Sequence, residues 1–453
     1  MFARIRNRAA LLAGGLCLAV CGASAAAAPP AGFRPFAPDS IWNLRLLPTA
    51  PLRPNSRTYV DWLAQSVAAH GAWLNTTNCG MPEYWASANT PTVPVRLNHP
   101  SYEDPALMQA WSAVPLPRGA APAGCSDRNF AVLQRQPSGA IKEWEFWEAS
   151  KSATGAWTAE WGGTIGNVLT DRGVASPLQW TDPTAPAPTA RHATYGWNVT
   201  ASGMSMLGGV ITNQNLESGT IDHALAMAVT SAAAREWMWP AQRTDGYSTD
   251  PAALPEGAHL RLSPTVNVNA LPVTPLVKML ARAAQQYGIV VRDQTASSDV
   301  FYAEPPDPGQ PNLVYKLLDG QSLMSALAAF PWAKLQVLNA PICTSYAGCQ
   351  ATQKAVVTVS GRARVGSKVT LSTSDSVLNY PRVSVTWVLG SGRNAASVSR
   401  NSTNVSARYT QQGWHRVRVD IVCADGSSVT GTTSIYVRPA VRTARLRGLS
   451  KRR

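Results

Sequence analysis

The sequence predicts a mainly β protein: a β-sandwich main domain carrying a few helices, followed by a small second sandwich. Between residues 72 and about 270, short apolar runs are broken repeatedly by Gly, Pro, Asn and Asp, the punctuation of strands and turns. Residues 355–438 are rich in Val, Ser and Thr and alternate with period 2. Helical periodicity is confined to three short stretches.

In chain order, Arg4, Arg6 and Arg8 precede an apolar run from Ala9 to Ala23 and the small residues Ala23-Ser24-Ala25. This is the pattern of a secretory signal peptide, expected over residues 1–28 with cleavage near 25–28, so the mature chain is expected to be secreted or otherwise extracytoplasmic. Cys21 offers a lipid-anchored alternative, but the residue before a lipidated Cys is normally small and Val20 is not. No other apolar stretch approaches ~18 residues, so no transmembrane segment is expected in the mature chain.

The main domain is expected over residues 29–342. A Pro-rich start leads into a helix with Tyr59, Leu63 and Val67 on one face, ended by Gly71. A second helix starts at the cap Thr274 with Pro275 in its first turn. Leu276, Leu280, Ala284 and Tyr287 form its stripe, and Gly288 closes it. The strand Ile289-Val290-Val291 follows, then a short helix over Leu323 to Phe330, capped by Ser322 and stopped by Pro331.

A linker is expected at 343–354. Beyond it Lys368 to Ser372, Val383 to Val388, Val417 to Val422 and Thr433 to Val437 read as strands of a seven-strand sandwich, 355–438. With Trp387 on a core strand and Tyr409-Thr410-Gln411-Gln412-Gly413 at a turn, this segment resembles the PKD/immunoglobulin-like modules of secreted bacterial proteins. It departs from them at Gly390-Ser391-Gly392, where they carry an acidic turn. Such modules space, present or weakly bind. Residues 439–453 form a basic tail.

Composition bounds the partners. The formal charge of +14 concentrates at the ends: three arginines lie in the leader, and Arg442, Arg445, Arg447, Lys451, Arg452 and Arg453 in the tail. The tail reads either as solvated chain or as a contact for anionic envelope polymers. No nucleic-acid-binding motif is present, so no nucleic-acid partner is expected. Of the seven cysteines, Cys79, Cys125, Cys343, Cys349 and Cys423 follow the leader. Outside the cytoplasm, Cys343–Cys349 and Cys79–Cys125 are the expected disulfides, with Cys423 left buried in a strand. No Cys/His spacing resembles a zinc site, so no metal or other cofactor is expected.

The 16 Trp residues are either core or sugar platforms. The most informative stretch is Ile141-Lys142-Glu143-Trp144-Glu145-Phe146-Trp147-Glu148. On a strand, Glu143, Glu145 and Trp147 share a face with Ile141, while Trp144 and Phe146 face the other way. Two carboxylates about 7 Å apart beside an indole suit a saccharide, whose C–H face stacks on the ring while its hydroxyls bond the carboxylates. The same pattern also describes the solvated outer face of a sheet. Trp157 and Trp161 share a face on the next strand and would cluster with it if the strands pair. Ser205 lacks the Gly of a nucleophile elbow, since Leu207 stands there. His223, beside Asp222 in an apolar run, is either a hydrogen-bonded core residue or a general base. Arg243 and Asp245 follow the aromatic strand Trp237-Met238-Trp239, and Arg243 suits a uronic acid carboxylate or a loop salt bridge.

Residues 36 to 340 also resemble a family of secreted bacterial proteins. The resemblance rests on Phe36-Ala37-Pro38-Asp39-Ser40-Ile41-Trp42-Asn43, Glu145-Phe146-Trp147, Ile221-Asp222-His223-Ala224-Leu225 and Trp239-Pro240-Ala241-Gln242-Arg243-Thr244-Asp245-Gly246. It implies no activity. The family's members are similar to jelly-roll, lectin-like or polysaccharide-processing sandwiches, an analogy of architecture.

Three functions follow. A polysaccharide hydrolase or lyase would use Glu145 as acid/base helped by His223, with Glu143, Trp147, Trp161, Arg243 and Asp245 holding substrate. A glycan-binding or envelope-adhesive protein would use the same face without turnover. A structural surface protein would use it for neither. The sugar readings require these side chains to gather on one open cleft.

Overall fold

The computed structural model describes residues 27–440 apart from 39, 49, 99–103, 174–196, 345–353, 377, 379–381, 391–396, 400–401 and 424–427. The leader through residue 26, Cys349 and the basic tail from residue 441 lie outside the described residues. The expected mainly β architecture is the one observed: several sheets with few helices.

The main body has ten principal strands. They are β1 (Ala72–Asn75), β2 (Glu83–Ala86), β3 (Phe130–Arg135), β4 (Ile141–Trp147), β5 (Trp161–Ile165), β6 (Leu225–Val229), β7 (His259–Leu262), β8 (Ile289–Gln294), β9 (Asp299–Tyr302) and β10 (Leu335–Val337). Its helices are α1 (Ser56–His70), α2 (Pro105–Ala110), α3 (Asn213–Ser218), α4 (Pro275–Gln286) and α5 (Leu323–Ala328). A six-stranded mixed sheet runs β1-β9-β6-β8-β7-β10, with β6 parallel to β8 and antiparallel to β9. A four-stranded sheet runs β5-β4-β3-β2.

Side-chain alternation sets the layers. In the six-stranded sheet Leu225, Met227, Val229, Ile289, Val291 and Phe301 join a core with α1, α4 and α5. Their neighbours Ala226, Ala228, Val290, Val300 and Tyr302 point the other way and pack with Ala131, Leu133 and Ile141 of the four-stranded sheet. The two sheets therefore form a sandwich. Phe130, Val132, Trp144 and Phe146 face outward from it, under α2 and a three-stranded sheet that includes Trp157–Ala159. Burying each Leu or Phe of these cores contributes about 2 kcal/mol.

The helices form for the expected local reasons. In α1, Tyr59, Leu63 and Val67 are buried, and Gly71 ends the helix at φ +79°. Thr274 caps α4 by accepting from the Val277 N–H, and Ser322 caps α5 by accepting from the Ser325 N–H. Two short helices were not anticipated, although Asp104-Pro105 caps α2 and a Thr212/Asn215 capping box starts α3.

Among the described residues the C-terminal segment has seven strands: β11 (Thr358–Ser360), β12 (Lys368–Ser372), β13 (Arg382–Val388), β14 (Ser397–Ser399), β15 (Asn404–Arg408), β16 (Gly413–Cys423) and β17 (Ser428–Val437). They make sheets ordered β11-β12-β15 and β14-β13-β16-β17. Val369, Leu371, Val385, Trp387, Val417, Val419 and Ile421 fill the space between them. Cys423 is buried on β16, as expected.

Candidate functional site

A cavity of about 1040 Å³ opens between the two main sheets. The parallel strands β6 and β8 end there, with Ala228 paired to Asp293, and the Thr295–Ser298 turn carries the chain back into β9. Trp147 at the end of β4 and Trp161 at the start of β5 are cross-strand partners and line the same cavity. Trp73 on β1 is a third indole on its wall. Asn75, Asn78, Asp127, Asn129, Arg243, Asp245 and Asp293 supply polar groups around them. The size is at the upper end of small-ligand sites, and a mixed aromatic and polar lining is what such sites need.

Of the expected binding residues, Trp147, Trp161, Arg243 and Asp245 are thus brought together, although they come from separate segments. Trp157 is not with them. The chain changes sheets at Glu160, so Trp157 packs on Phe130 with ring centroids 5.6 Å apart. Arg243 is half-buried and donates to the Thr200 carbonyl at 2.9 Å.

Glu143 and Glu145 are placed differently from the expected open wall, and this is a correction. They do share a face, but it is the face turned into the sandwich, and both are 0% exposed. Glu145 Oε1 accepts from the Val199 N–H at 2.7 Å, and Oε2 from the Met206 N–H at 2.8 Å and Ser205 Oγ at 3.1 Å. Burial raises the Glu145 carboxyl while these donors oppose the rise. Burial and then neighbouring Glu145 hold Glu143 well above the usual range. The pair fastens the Val199–Met206 loop behind the cavity wall.

His223 is also away from the cavity. It precedes β6 by two residues and lies five residues upstream of Ala228, about 16 Å of extended chain. Its Nδ1 donates to the Ala224 carbonyl at 2.8 Å, and Nε2 lies 2.9 Å from Asn215 Oδ1. Burial lowers its pKa. Of its two readings, the hydrogen-bonded core residue describes this position.

The cysteines need a second correction. Cys343 is disulfide-bonded, while its expected partner Cys349 lies outside the described residues. Cys79 and Cys125 are free thiols, so the expected bridge between them is not formed. They are nonetheless neighbours, and burial with the adjacent Cys125 pushes the Cys79 thiol up to about 12.

Sequence reasoning missed Glu256 and Asp293. Asp245, Glu256 and Asp293 each bring a carboxylate oxygen within 4.8 Å of the others, with Asp245 and Asp293 on the cavity wall. Burial and then Asp245 push Asp293 up to about 7, and burial raises Asp245 and, far more, Glu256. The available signal was Arg292-Asp293 ending an apolar strand, where a charge needs a reason. Arg292 is itself buried, donating through Nη1 to the Met206 and Gly208 carbonyls at 2.7 and 2.8 Å and lying 3.9 Å over the Tyr302 ring.

No protein-family model and no curated protein matches the chain. Among solved structures, one described as carbohydrate-binding modules from the β-sandwich superfamily is 21% identical with a TM-score of 0.18; the match covers 20% of this chain and 36% of that one, so the chain spans about a third of its length. The PKD1 domain of the Vibrio cholerae metalloprotease PrtV is 20% identical with a TM-score of 0.16, covering 19% of this chain and 98% of that domain. The PKD1 domain of Vibrio anguillarum Epp is 21% identical with a TM-score of 0.17, covering 20% and 100%. Likenesses of this size carry no functional argument. Among the described residues, no helix is long and apolar enough to cross a membrane.

Proposed function

We propose that this is a saccharide-binding protein whose site is the cavity between its two main sheets. The observation that supports this reading is that Trp73, Trp147 and Trp161 line one cavity with Arg243, Asp245 and Asp293. Indole faces stack on the C–H faces of sugar rings, and charged or amide groups bond the hydroxyls around them. Arg243 would take a carboxylate of an acidic sugar in this setting. Glu145 and His223 are not offered as catalytic groups, because neither lines the cavity.

Affinity electrophoresis of the purified chain through gels containing plant, algal or bacterial polysaccharides tests the proposal, run both with calcium and with a chelator. Retardation by at least one acidic polysaccharide is expected, with affinity reduced about tenfold or more in Trp147→Ala, as for loss of a stacking aromatic. No retardation by any of them under either condition would remove the reading. Release of reducing ends or of ultraviolet-absorbing products would add turnover to it.

A further inference from the structure

We propose that Asp245, Glu256 and Asp293 form a binding site for a hard divalent cation of the calcium class on the wall of the inter-sheet cavity. The site is argued from its own oxygens and holds whether or not the cavity takes a sugar. Each residue offers a carboxylate oxygen, and the three oxygens lie within 4.8 Å of one another. Calcium binds oxygen at about 2.4 Å, so two oxygens on one ion lie no more than about 4.8 Å apart. Each pair of the three oxygens meets that limit.

Three carboxylates this close repel one another; the Gln294 N–H on Asp293 Oδ1 at 2.9 Å and the nearby Arg292 and Arg243 offset this only in part. Glu256 is fully buried, and its Oε1 has no hydrogen-bond partner among the described residues. Its Oε2 accepts only a long 3.3 Å bond from the Asp245 N–H among the hydrogen bonds seen here. The next residue after Asp293 repeats the pattern. Gln294 Oε1 is a buried acceptor without a partner among the described residues, while its Nε2 donates to the Asp245 carbonyl at 2.6 Å. A buried acceptor left unmatched costs about 1–3 kcal/mol, more when it is charged. A fully buried carboxylate oxygen without a donor, Glu256 Oε1, within a trio of close carboxylates is what a hard-cation site presents before it is filled.

The backbone holds Glu256 in place for this role. The Met238 N–H donates to the Glu256 carbonyl, and the Gly257 N–H to the Val291 carbonyl, both at 2.7 Å. Gly257 has φ +82°, and a Cβ there would collide with the Met238 carbonyl oxygen. The only cavity-facing member of the trio that is exposed is Asp245, which leaves the ion a path from solvent.

The rival occupant is the proton, which could neutralise the same groups. The test separates them without any sugar or activity. Full-length protein is stripped with chelator and dialysed, then melted with and without calcium, magnesium or manganese at neutral pH. Terbium is titrated in parallel, because Trp147 and Trp161 on the same cavity can sensitise its emission. The expected result is a rise in Tm of about 3–4 °C with calcium at a hundred times its Kd. Sensitised terbium emission displaced by calcium is expected with it. Both signals should be lost in Asp245→Asn, whose exposed position spares the fold, and in Asp293→Asn. No shift and no emission with any of the cations would overturn the proposal, and so would signals that persist in both variants. Failure here leaves polysaccharide retardation in chelator intact, and absence of retardation leaves the terbium result intact.

Discussion

Glu145 acts as hydrogen-bonded buried carboxylates do: it satisfies backbone donors inside the sandwich. Both of its oxygens accept backbone N–H groups, from Val199 and Met206, and Ser205 adds a third donor. Truncation would leave those donors buried and unpaired. Glu145→Ala is therefore expected to cost about 3 kcal/mol or more. Glu145→Gln, which keeps one acceptor, should cost clearly less. Urea unfolding of the two variants measures this. Equal stability of Glu145→Ala and the parent would show that the loop is held by something else. The alternation that places Glu143 and Glu145 on one face was legible in the sequence. Which side of the sheet faced water was not, because period 2 sorts side chains into two sets without saying what covers each.

At the scale of the element, local chemistry was most readable where a cap, a stripe and a stop coincide. α4 has all three: Thr274 caps it, Leu276, Leu280 and Ala284 are buried, and Gly288 follows at φ +95°. Thr274→Ala should lower stability by about 1 kcal/mol. Thr274→Ser should recover most of it, as read from denaturant midpoints at constant m-value. The strand after Trp157 was less readable. Trp157 and Trp161 look alike in a four-residue period, but the change of sheet at Glu160 sends the first ring to Phe130 and the second to Trp147. Such a break depends on pairing partners remote in sequence. The α3 capping box is a local signal too, carried by Thr212 and Asn215.

For the whole molecule, buried acids shape the pH response. Burial pushes Glu304 up to about 7 and Asp299 up to about 6. The folded state holds these protons more tightly than the unfolded one. Their stabilising contribution is full below about pH 4 and is lost as pH rises through 6 to 7. His259 acts in the opposite sense. Burial lowers it to about 4, so its contribution is present above about pH 6.5 and lost as pH falls through 4. The raised acids outnumber the lowered bases His223 and His259, so Tm measured in chelator should fall between pH 5 and pH 8. Glu304→Gln should flatten that fall while keeping an acceptor for the Asn213 N–H, now bonded at 2.6 Å. A Tm that rises over the interval, or an unchanged slope in the variant, would contradict this account.

Residue order alone was enough for the mainly β class, the period-2 faces of the strands and the helices α1, α4 and α5. These depend on residues within a few positions of one another, so propensity and periodicity reveal them. Tertiary structure alone decided that Glu143 and Glu145 face the interior, and that His223 sits away from the cavity. It also brought Asp245, Glu256 and Asp293 together. Those outcomes depend on which sheet packs on which face and on strand ends meeting across long stretches of chain, and neither leaves a local trace in the order of residues.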